Sequence, residues 1–204
     1  MLLFLDVISP LPEILLIEEN KIICRRKIIK NESEKLSDKI IEFFVEIDNS
    51  LNLTDKLSKI AITIGPGSYT SLRVGAAFLS GLKISRELLF CPISIMEVFE
   101  FQLNNNDLNK TGIYINSAND QNFFCTIDRY KNIIYNKVEE KNYNIPKNIN
   151  KIYYNEKKLS LNEPDILQHK FFFSDMIFKN YQKLKFSKNE IIRPIYISNN
   201  KILN

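Results

Sequence analysis

Hydrophobic and polar positions follow two different periods in the first part of the chain. Three short apolar runs at residues 2–7, 13–17 and 21–29 are separated by proline-containing or acidic turns, which predicts an antiparallel meander of three strands. Apolar residues then recur at helical spacing from Leu36 to Ile47. We expect Asn31 or Ser33 to cap this helix, Glu32 and Glu34 to lie favourably in its first turn, and the helix to end near Asn49.

The alternation of strand and helix patterns continues to about residue 102. A buried strand is predicted at residues 60–64, a second helix from Tyr69 to Ser85, a strand at residues 88–91 and a third helix from Ser94. This order is typical of an α/β domain. A polar break at residues 104–110 predicts a boundary between a first unit, residues 1–104, and a second unit, residues 110–204.

The second half repeats the opening pattern less clearly. Runs at residues 112–117, 123–128 and 132–138 predict another three-stranded meander, and residues 139–150 read as loop. A strand at Phe171–Phe173 and a helix from Ser174 to Leu184 are expected after it. Two successive units that each open with a meander indicate a duplicated α/β architecture.

Composition excludes several classes of protein. With 204 residues, 45% hydrophobic and 25% charged, the chain can form a substantial core. The net charge of +4 comes from 28 basic residues interleaved with 24 acidic ones, which does not favour direct nucleic-acid binding. No run is long enough to cross a membrane, the start lacks a signal sequence, and three distant cysteines argue against a disulfide framework, so we expect a cytoplasmic protein.

Glycine placement marks the most informative segment. Of five glycines, four lie between Gly65 and Gly81, where a buried strand runs through a Gly-Pro-Gly turn into a helix. Such a turn can present backbone N–H groups to an anion, but no Gly-Lys-Ser/Thr phosphate loop follows. The alternative, a turn with positive φ before a capped helix, is favoured on local grounds. The candidate anion-binding residues are Gly65, Gly67, Ser68 and Thr70.

Two features inside the predicted second helix leave alternatives open. Gly75 and Gly81 indicate close packing against the first helix, a core strand or a second protein, with packing inside the chain as the default. Arg73 lies near the positive end of the helix dipole, where it either binds an anion or forms a surface ion pair, the commoner use of such a residue.

The usual catalytic groupings are missing from the sequence. The single histidine, His169, lies in a polar stretch and reads as solvated or structural. Asp6 ends the first strand without a following glycine, so phosphate binding there is not expected. We therefore predict no catalytic residue, no metal and no cofactor.

The segment from Gly65 to Gly75 closely resembles the TsaB (YeaZ) family, whose signature is Gly-Pro-Gly-Ser-Phe/Tyr-Thr-Gly-Leu-Arg-Val/Ile-Gly; Ser71 replaces one glycine. The opening Leu3–Asp6, the segment Ser33–Leu36 and the tail Arg193–Ile197 are also similar to family motifs. The resemblance implies an actin-like fold of two subdomains, each a mixed sheet with flanking helices. It also implies an accessory subunit for threonylcarbamoyladenosine synthesis in tRNAs that read codons beginning with A.

The resemblance further implies partners and a docking surface. Family members bind the catalytic paralogue TsaD through two long helices, which here correspond to Ser33–Asp48 and Tyr69–Ser85; the ATPase TsaE joins the assembly, and tRNA is engaged only indirectly. The metal-binding histidines of TsaD are absent, which favours a non-catalytic chain. The residues expected to bind the partner are Leu36, Ile40, Phe43, Ser71, Arg73, Gly75, Ala76 and Leu79.

Two other functions compete with this interpretation. The actin-like fold, Asp6 and the Gly65–Thr70 turn also fit a nucleotide-dependent kinase or ATPase. Alternatively, the same two helices form a homodimer when the partner is missing.

Overall fold

The computed structural model describes residues 1–31, 33–102, 107–138, 143–160, 165–198 and 201–203. Its first sheet has five strands in the order β3-β2-β1-β4-β5. The strands are β1 (Leu2–Asp6), β2 (Glu13–Glu18), β3 (Lys21–Lys27), β4 (Lys59–Thr63) and β5 (Leu89–Ile93). β1, β2 and β3 pair antiparallel, which confirms the first meander, whereas β4 and β5 pair parallel beside β1.

Helices cover both faces of this sheet. They are α1 (Leu36–Leu51), α2 (Leu53–Lys56), α3 (Tyr69–Ser85), α4 (Ile95–Gln102) and α5 (Phe173–Asn180). On edge strand β3, Arg26 pairs with Glu46 of α1, and its neighbour Arg25 pairs with Asp175 of α5. Because successive strand residues point to opposite faces, α1 and α5 lie on opposite sides of the first sheet.

The second sheet repeats this arrangement in the order β10-β9-β6-β7-β8. Its strands are β6 (Thr111–Ser117), β7 (Gln121–Ile127), β8 (Ile133–Val138), β9 (Lys151–Tyr154) and β10 (Leu167–Lys170). β6, β7 and β8 form the predicted second meander, and β9 and β10 extend the sheet in parallel. Two five-stranded mixed sheets with flanking helices give the two-subdomain actin-like α/β fold expected from the sequence.

Short 3₁₀ turns and a small hairpin complete the chain. The turns are Leu108–Lys110 and Tyr181–Lys183, and the hairpin pairs β11 (Tyr196–Ser198) with β12 (Lys201–Leu203). No helix in the described ranges is long and apolar enough to cross a membrane.

The N-cap expected for α1 was wrong. α1 begins at Leu36 after Lys35, which makes no side-chain capping bond. The Asn31 side chain instead accepts the Ser33 N–H at 3.0 Å, and the Glu34 carboxylate accepts the Lys30 N–H at 2.6 Å. These local bonds form a turn before the helix. Glu32 lies outside the described residues, as do residues 103–106 of the polar break.

The strand expected at Phe171–Phe173 was also wrong. β10 ends at Lys170, and Phe173 is the first residue of α5. Phe173, Met176 and Ile177 are fully or almost fully buried at i, i+3 and i+4, so a helix places all three in the core. No pattern in the sequence predicted β9, a strand of four residues.

The end of the chain returns to the first sheet. α5 packs against β1 and β2, and Ser187 and Phe90 exchange backbone hydrogen bonds of 2.9 Å. The Ile195 N–H donates to the Ile64 carbonyl at 2.6 Å. The predicted second unit, residues 110–204, therefore contains segments that contact the first sheet, and the predicted boundary stays a prediction.

Candidate functional site

Helices α1 and α3 lie side by side and form the surface on which partner binding was expected. The Phe44 and Phe78 rings meet edge to face, with centroids 5.3 Å apart. Each helix turns an apolar stripe inward, including Ile40 and Ile47 on α1 and Leu72 and Leu79 on α3. Packing of these stripes fixes the outward faces of the two helices.

Most of the residues predicted to bind the partner lie in the core of this chain. The buried ones are Leu36, Ile40, Phe43, Ser71, Gly75 and Leu79. Ala76 is half-buried and only Arg73 is exposed. The periodic apolar positions that identified the two helices therefore form their inner faces, and their contribution to a docking surface is indirect.

Gly75 shows why the inner face of α3 is so close to the sheet. A Cβ at this position would lie 2.6 Å from Val7 Cγ1 and 3.1 Å from Ile62 Cδ1. Both neighbours are buried side chains that follow or belong to the central strands. Gly81 is exposed, and a Cβ added to it would meet no atom within 4 Å. The default interpretation, packing inside the chain, accounts for Gly75 and does not account for Gly81.

The outward face of the two helices carries exposed apolar residues that were not predicted. Ile41 and Val45 are 65% and 48% exposed on α1, and Ile84 is 88% exposed on α3. On α3, Ala77, Gly81 and Ile84 fall on one side, opposite Leu72 and Leu79. We call Ile41, Val45, Ala77, Gly81 and Ile84 the outer face. The sequence signal that could have identified this face is the aliphatic pair Ile41 and Val45, four residues apart on the otherwise polar side of α1.

The glycine turn before α3 has the conformation that the local alternative predicted. Gly65 has φ +116°, and a Cβ there would lie 2.5 Å from the Ile195 carbonyl oxygen, so a side chain is excluded by both conformation and space. The Gly65–Pro66 peptide is cis. Ser68 is the N-cap of α3, and its hydroxyl accepts the Ser71 N–H at 3.5 Å. Thr70 is exposed.

One backbone donor of this turn is already bound to the second sheet. The Ser68 N–H donates to Ser117 Oγ at 2.7 Å, and both residues are buried. Ser117 Oγ also lies 3.1 Å from the position of a Cβ on Gly67. A hydroxyl of the chain itself therefore occupies the place next to Gly67 and Ser68 where an anion was considered.

Buried polar groups join the two sheets beside this contact. The Asn155 Nδ2 group donates to the Asn116 carbonyl at 2.8 Å and lies 3.4 Å from Ser9 Oγ, while Asn155 Oδ1 accepts the Asn116 N–H at 2.7 Å. Asn116 Oδ1 accepts the Lys157 N–H at 2.7 Å. Because these groups satisfy each other away from water, they hold the ends of β1, β6 and β9 together.

Asp6 lies close to these contacts between the two sheets. One carboxylate oxygen accepts the Ile8 N–H at 3.0 Å, the Ser9 N–H at 3.4 Å and the Thr63 hydroxyl at 3.1 Å. Burial raises the pKa of Asp6 to about 6, although the hydrogen bonds from Ser9, Ile8 and Thr63 act in the opposite direction. Asp6 thus stabilises the turn that follows β1 by accepting its backbone N–H groups.

Arg73 does not form the surface ion pair that was expected. Its guanidinium lies 4.0 Å from the centroid of the Tyr69 ring and 5.8 Å from that of Tyr196. Among the described residues no carboxylate lies within ion-pair distance of it. The Arg73 side chain is held by aromatic rings instead.

The other candidate chemical groups lie apart from this surface. His169 is exposed on β10, with its ring 5.6 Å from that of Tyr153. Cys24, Cys91 and Cys125 are free thiols. The described ranges contain no group of three His, Cys, Asp or Glu side chains placed to hold a metal.

Comparison with known proteins assigns the family. A family model described as TsaD, tRNA N6-adenosine threonylcarbamoyltransferase, matches residues 27–199. No curated protein matched the chain.

Two solved structures share the fold. One is YeaZ from Pseudomonas aeruginosa, with TM-score 0.55 and 12% identity over 96% of this chain and 99% of that one. The other is an uncharacterized protein with similarity to peptidase YEAZ from the same organism, with TM-score 0.57 and 12% identity over 97% and 99%. The fold matches these YeaZ structures, and the chain belongs to the TsaD family of tRNA N6-adenosine threonylcarbamoyltransferases.

Proposed function

We propose that this chain is a non-catalytic subunit of the tRNA threonylcarbamoyladenosine machinery, which binds the catalytic paralogue TsaD through the outer face of α1 and α3. The observation that carries the proposal is the exposure of Ile41, Val45 and Ile84 on two packed helices. Single exposed aliphatic residues are common, but a group on adjacent helices is typical of a binding surface. In this proposal, TsaE and tRNA join the complex by binding to TsaD.

The small residues at the centre of the outer face fit this role. Gly81 has open space in front of it, and Ala77 precedes it by one turn. Small residues allow a partner helix to approach the backbone closely, while Ile41 and Ile84 supply apolar area at either side. Burial of such side chains contributes about 1.5–3 kcal/mol each when it is complete.

The non-catalytic role has support from the hydrogen-bonded contact between the two sheets. Nucleotide-dependent chemistry there would use the backbone donors of the glycine turn, and one of these, the Ser68 N–H, is bound to Ser117. The isolated chain should therefore neither hydrolyse ATP nor transfer a threonylcarbamoyl group to tRNA. Turnover by the purified chain in either assay would contradict the proposal.

Binding to TsaD from the same source tests the docking surface. We expect Ile41→Glu and Ile84→Glu each to raise the dissociation constant by at least about 10-fold, because each substitution buries a charge in an apolar contact. Ile134→Glu on β8 is the matched control, since Ile134 is 46% exposed in the second sheet and should bind as the wild type does.

Circular dichroism of each variant separates a binding defect from loss of folding. Failure of the wild type to bind TsaD, or equal binding by all three variants, would overturn the proposal. Sedimentation of the isolated chain at several concentrations tests the homodimer: a dimer lost in Ile41→Glu would show that the outer face pairs with itself.

A further inference from the structure

Just beyond its first turn, α3 carries an arginine held in place by two tyrosines. Tyr69 and Tyr196 pack against each other with ring centroids 4.3 Å apart, and the Arg73 guanidinium lies over both. The Tyr69 hydroxyl also accepts a hydrogen bond from Arg73 Nη2. Stacking on aromatic faces fixes the guanidinium before any ligand arrives, so little side-chain entropy remains to be lost on binding.

The charge of Arg73 has no counterpart near it. The first turn of α3 contains no acidic residue, and within the described part of the chain Arg73 has no carboxylate at ion-pair distance. The N-terminal end of a helix adds its own positive partial charge. Positive charge is therefore concentrated around Arg73, which favours the binding of a negatively charged group from outside the chain.

Arg73 is continuous with the outer face. It is exposed and precedes Ala77 by four residues, so the two lie on the same side of α3. Gly81 and Ile84 continue that side toward the other end of the helix. A charged residue at the margin of an apolar patch is the usual arrangement of a protein interface, in which arginine and tyrosine are enriched.

We propose that Arg73 binds a carboxylate side chain of the protein that docks on the outer face. The inference rests on the proposed function, and it adds the chemistry of one partner group: an Asp or Glu placed against the start of α3. The guanidinium still has donors free to form a bidentate pair with a carboxylate.

A single carboxylate fits the site better than a phosphate. Phosphate sites combine several donors, usually backbone N–H groups with one or more cations. Here Ser68 N–H is bound to Ser117, and Arg73 is the only cation stacked on the Tyr69–Tyr196 pair among the described residues. One guanidinium fork matches one carboxylate in size and charge.

Titration calorimetry with TsaD at two salt concentrations tests the pair. We expect Arg73→Ala to weaken binding by about 10-fold at low salt and to reduce its salt dependence, and Arg73→Glu to weaken it further by repulsion. Arg73→Lys keeps the charge without the fork and should lie between the wild type and Arg73→Ala. Arg129→Ala is the control, because Arg129 is an exposed arginine stacked on Tyr130 in the turn between β7 and β8.

The outcomes separate this inference from the function on which it rests. If Ile41→Glu abolishes binding while Arg73→Ala binds like the wild type with the same salt dependence, the carboxylate contact is wrong and the docking surface stands. If the wild type does not bind, both are wrong. If inorganic phosphate at constant ionic strength tightens the wild-type complex but not that of Arg73→Ala, a phosphate bridges the surfaces and the carboxylate is overturned.

Discussion

Alanine at Gly81 should stabilise the chain, whereas alanine at Gly75 should not. At both positions alanine gains about 0.5–1 kcal/mol, because glycine has the higher conformational freedom in the unfolded chain. At Gly81 nothing opposes this gain, since the new Cβ meets no atom within 4 Å. For a chain of this size the gain corresponds to a rise of about 1–4 °C in melting temperature.

At Gly75 the same methyl group would lie 2.6 Å from Val7 Cγ1. Val7 is fully buried, and its N–H donates to Thr63 Oγ1 at 2.9 Å, so neither its branched side chain nor its backbone can easily retreat. Overpacking of this kind costs about 1–3 kcal/mol, which should leave Gly75→Ala less stable than Gly81→Ala by that amount.

Urea denaturation of both variants beside the wild type measures the difference directly. The free energy of unfolding should rise for Gly81→Ala and stay equal or fall for Gly75→Ala, with unchanged denaturant dependence. An equal rise in both variants would refute the reasoning, because it would mean that α3 does not approach β1 and β4 closely. The result also decides which glycine is usable for docking experiments: only Gly81 can be changed without disturbing the core.

Three further predictions concern buried groups. Burial raises the pKa of Asp6 to about 6, so the folded chain holds the carboxyl proton more tightly than the unfolded chain does. The unfolding free energy of the wild type relative to that of Asp6→Asn should therefore fall by about 3 kcal/mol as pH rises from about 4 through 6. A difference in urea unfolding that does not depend on pH would contradict this. Ser117→Ala leaves Ser68 N–H without its acceptor and should cost about 1–3 kcal/mol of unfolding free energy, whereas Ser37→Ala on the exposed side of α1 should change it by less than about 0.5 kcal/mol. Cys24, which is half-buried, should react with a disulfide reagent well before Cys91 and Cys125, since burial raises the pKa of Cys91 to about 12 and that of Cys125 further; equal rates for the three native thiols would be inconsistent with the fold.

Local signals predicted the fold well wherever periodicity and turn chemistry agreed. α3 runs from Tyr69 to Ser85 as expected, because Ser68 provides the N-cap and the apolar spacing continues to the last turn. The start of α1 was misplaced because Asn31 has two uses, a helix cap or a local turn, and the sequence does not distinguish them. β9 and β10 are short, and they depend on long-range pairing of β9 with β6 and of β10 with β9, which no local pattern encodes.

The two helices of the candidate site were predicted from the sequence, but the faces that they expose were not. Sequence periodicity detects residues that face a core, so Leu36, Ile40 and Phe43 stood out although α1 turns them inward. The outer face has the weaker pattern, because Ile41 and Val45 interrupt a polar side. Arg73 was recognised as unusual from the helix dipole alone, but its contact with Tyr196 joins residues distant in sequence and needs the folded chain.

The second half of the chain holds both ends of α3 in position on the first half. Ser68 at its start is tied to Ser117 of the second sheet, and Lys83 in its last turn donates to the carbonyl of Glu190 in the returning segment. The direction in which the helix presents its outer face is thus set in part by residues that lie outside that face. For the proposed complex, substitutions in the second sheet should therefore change binding strength or geometry even when every side chain of the outer face is kept.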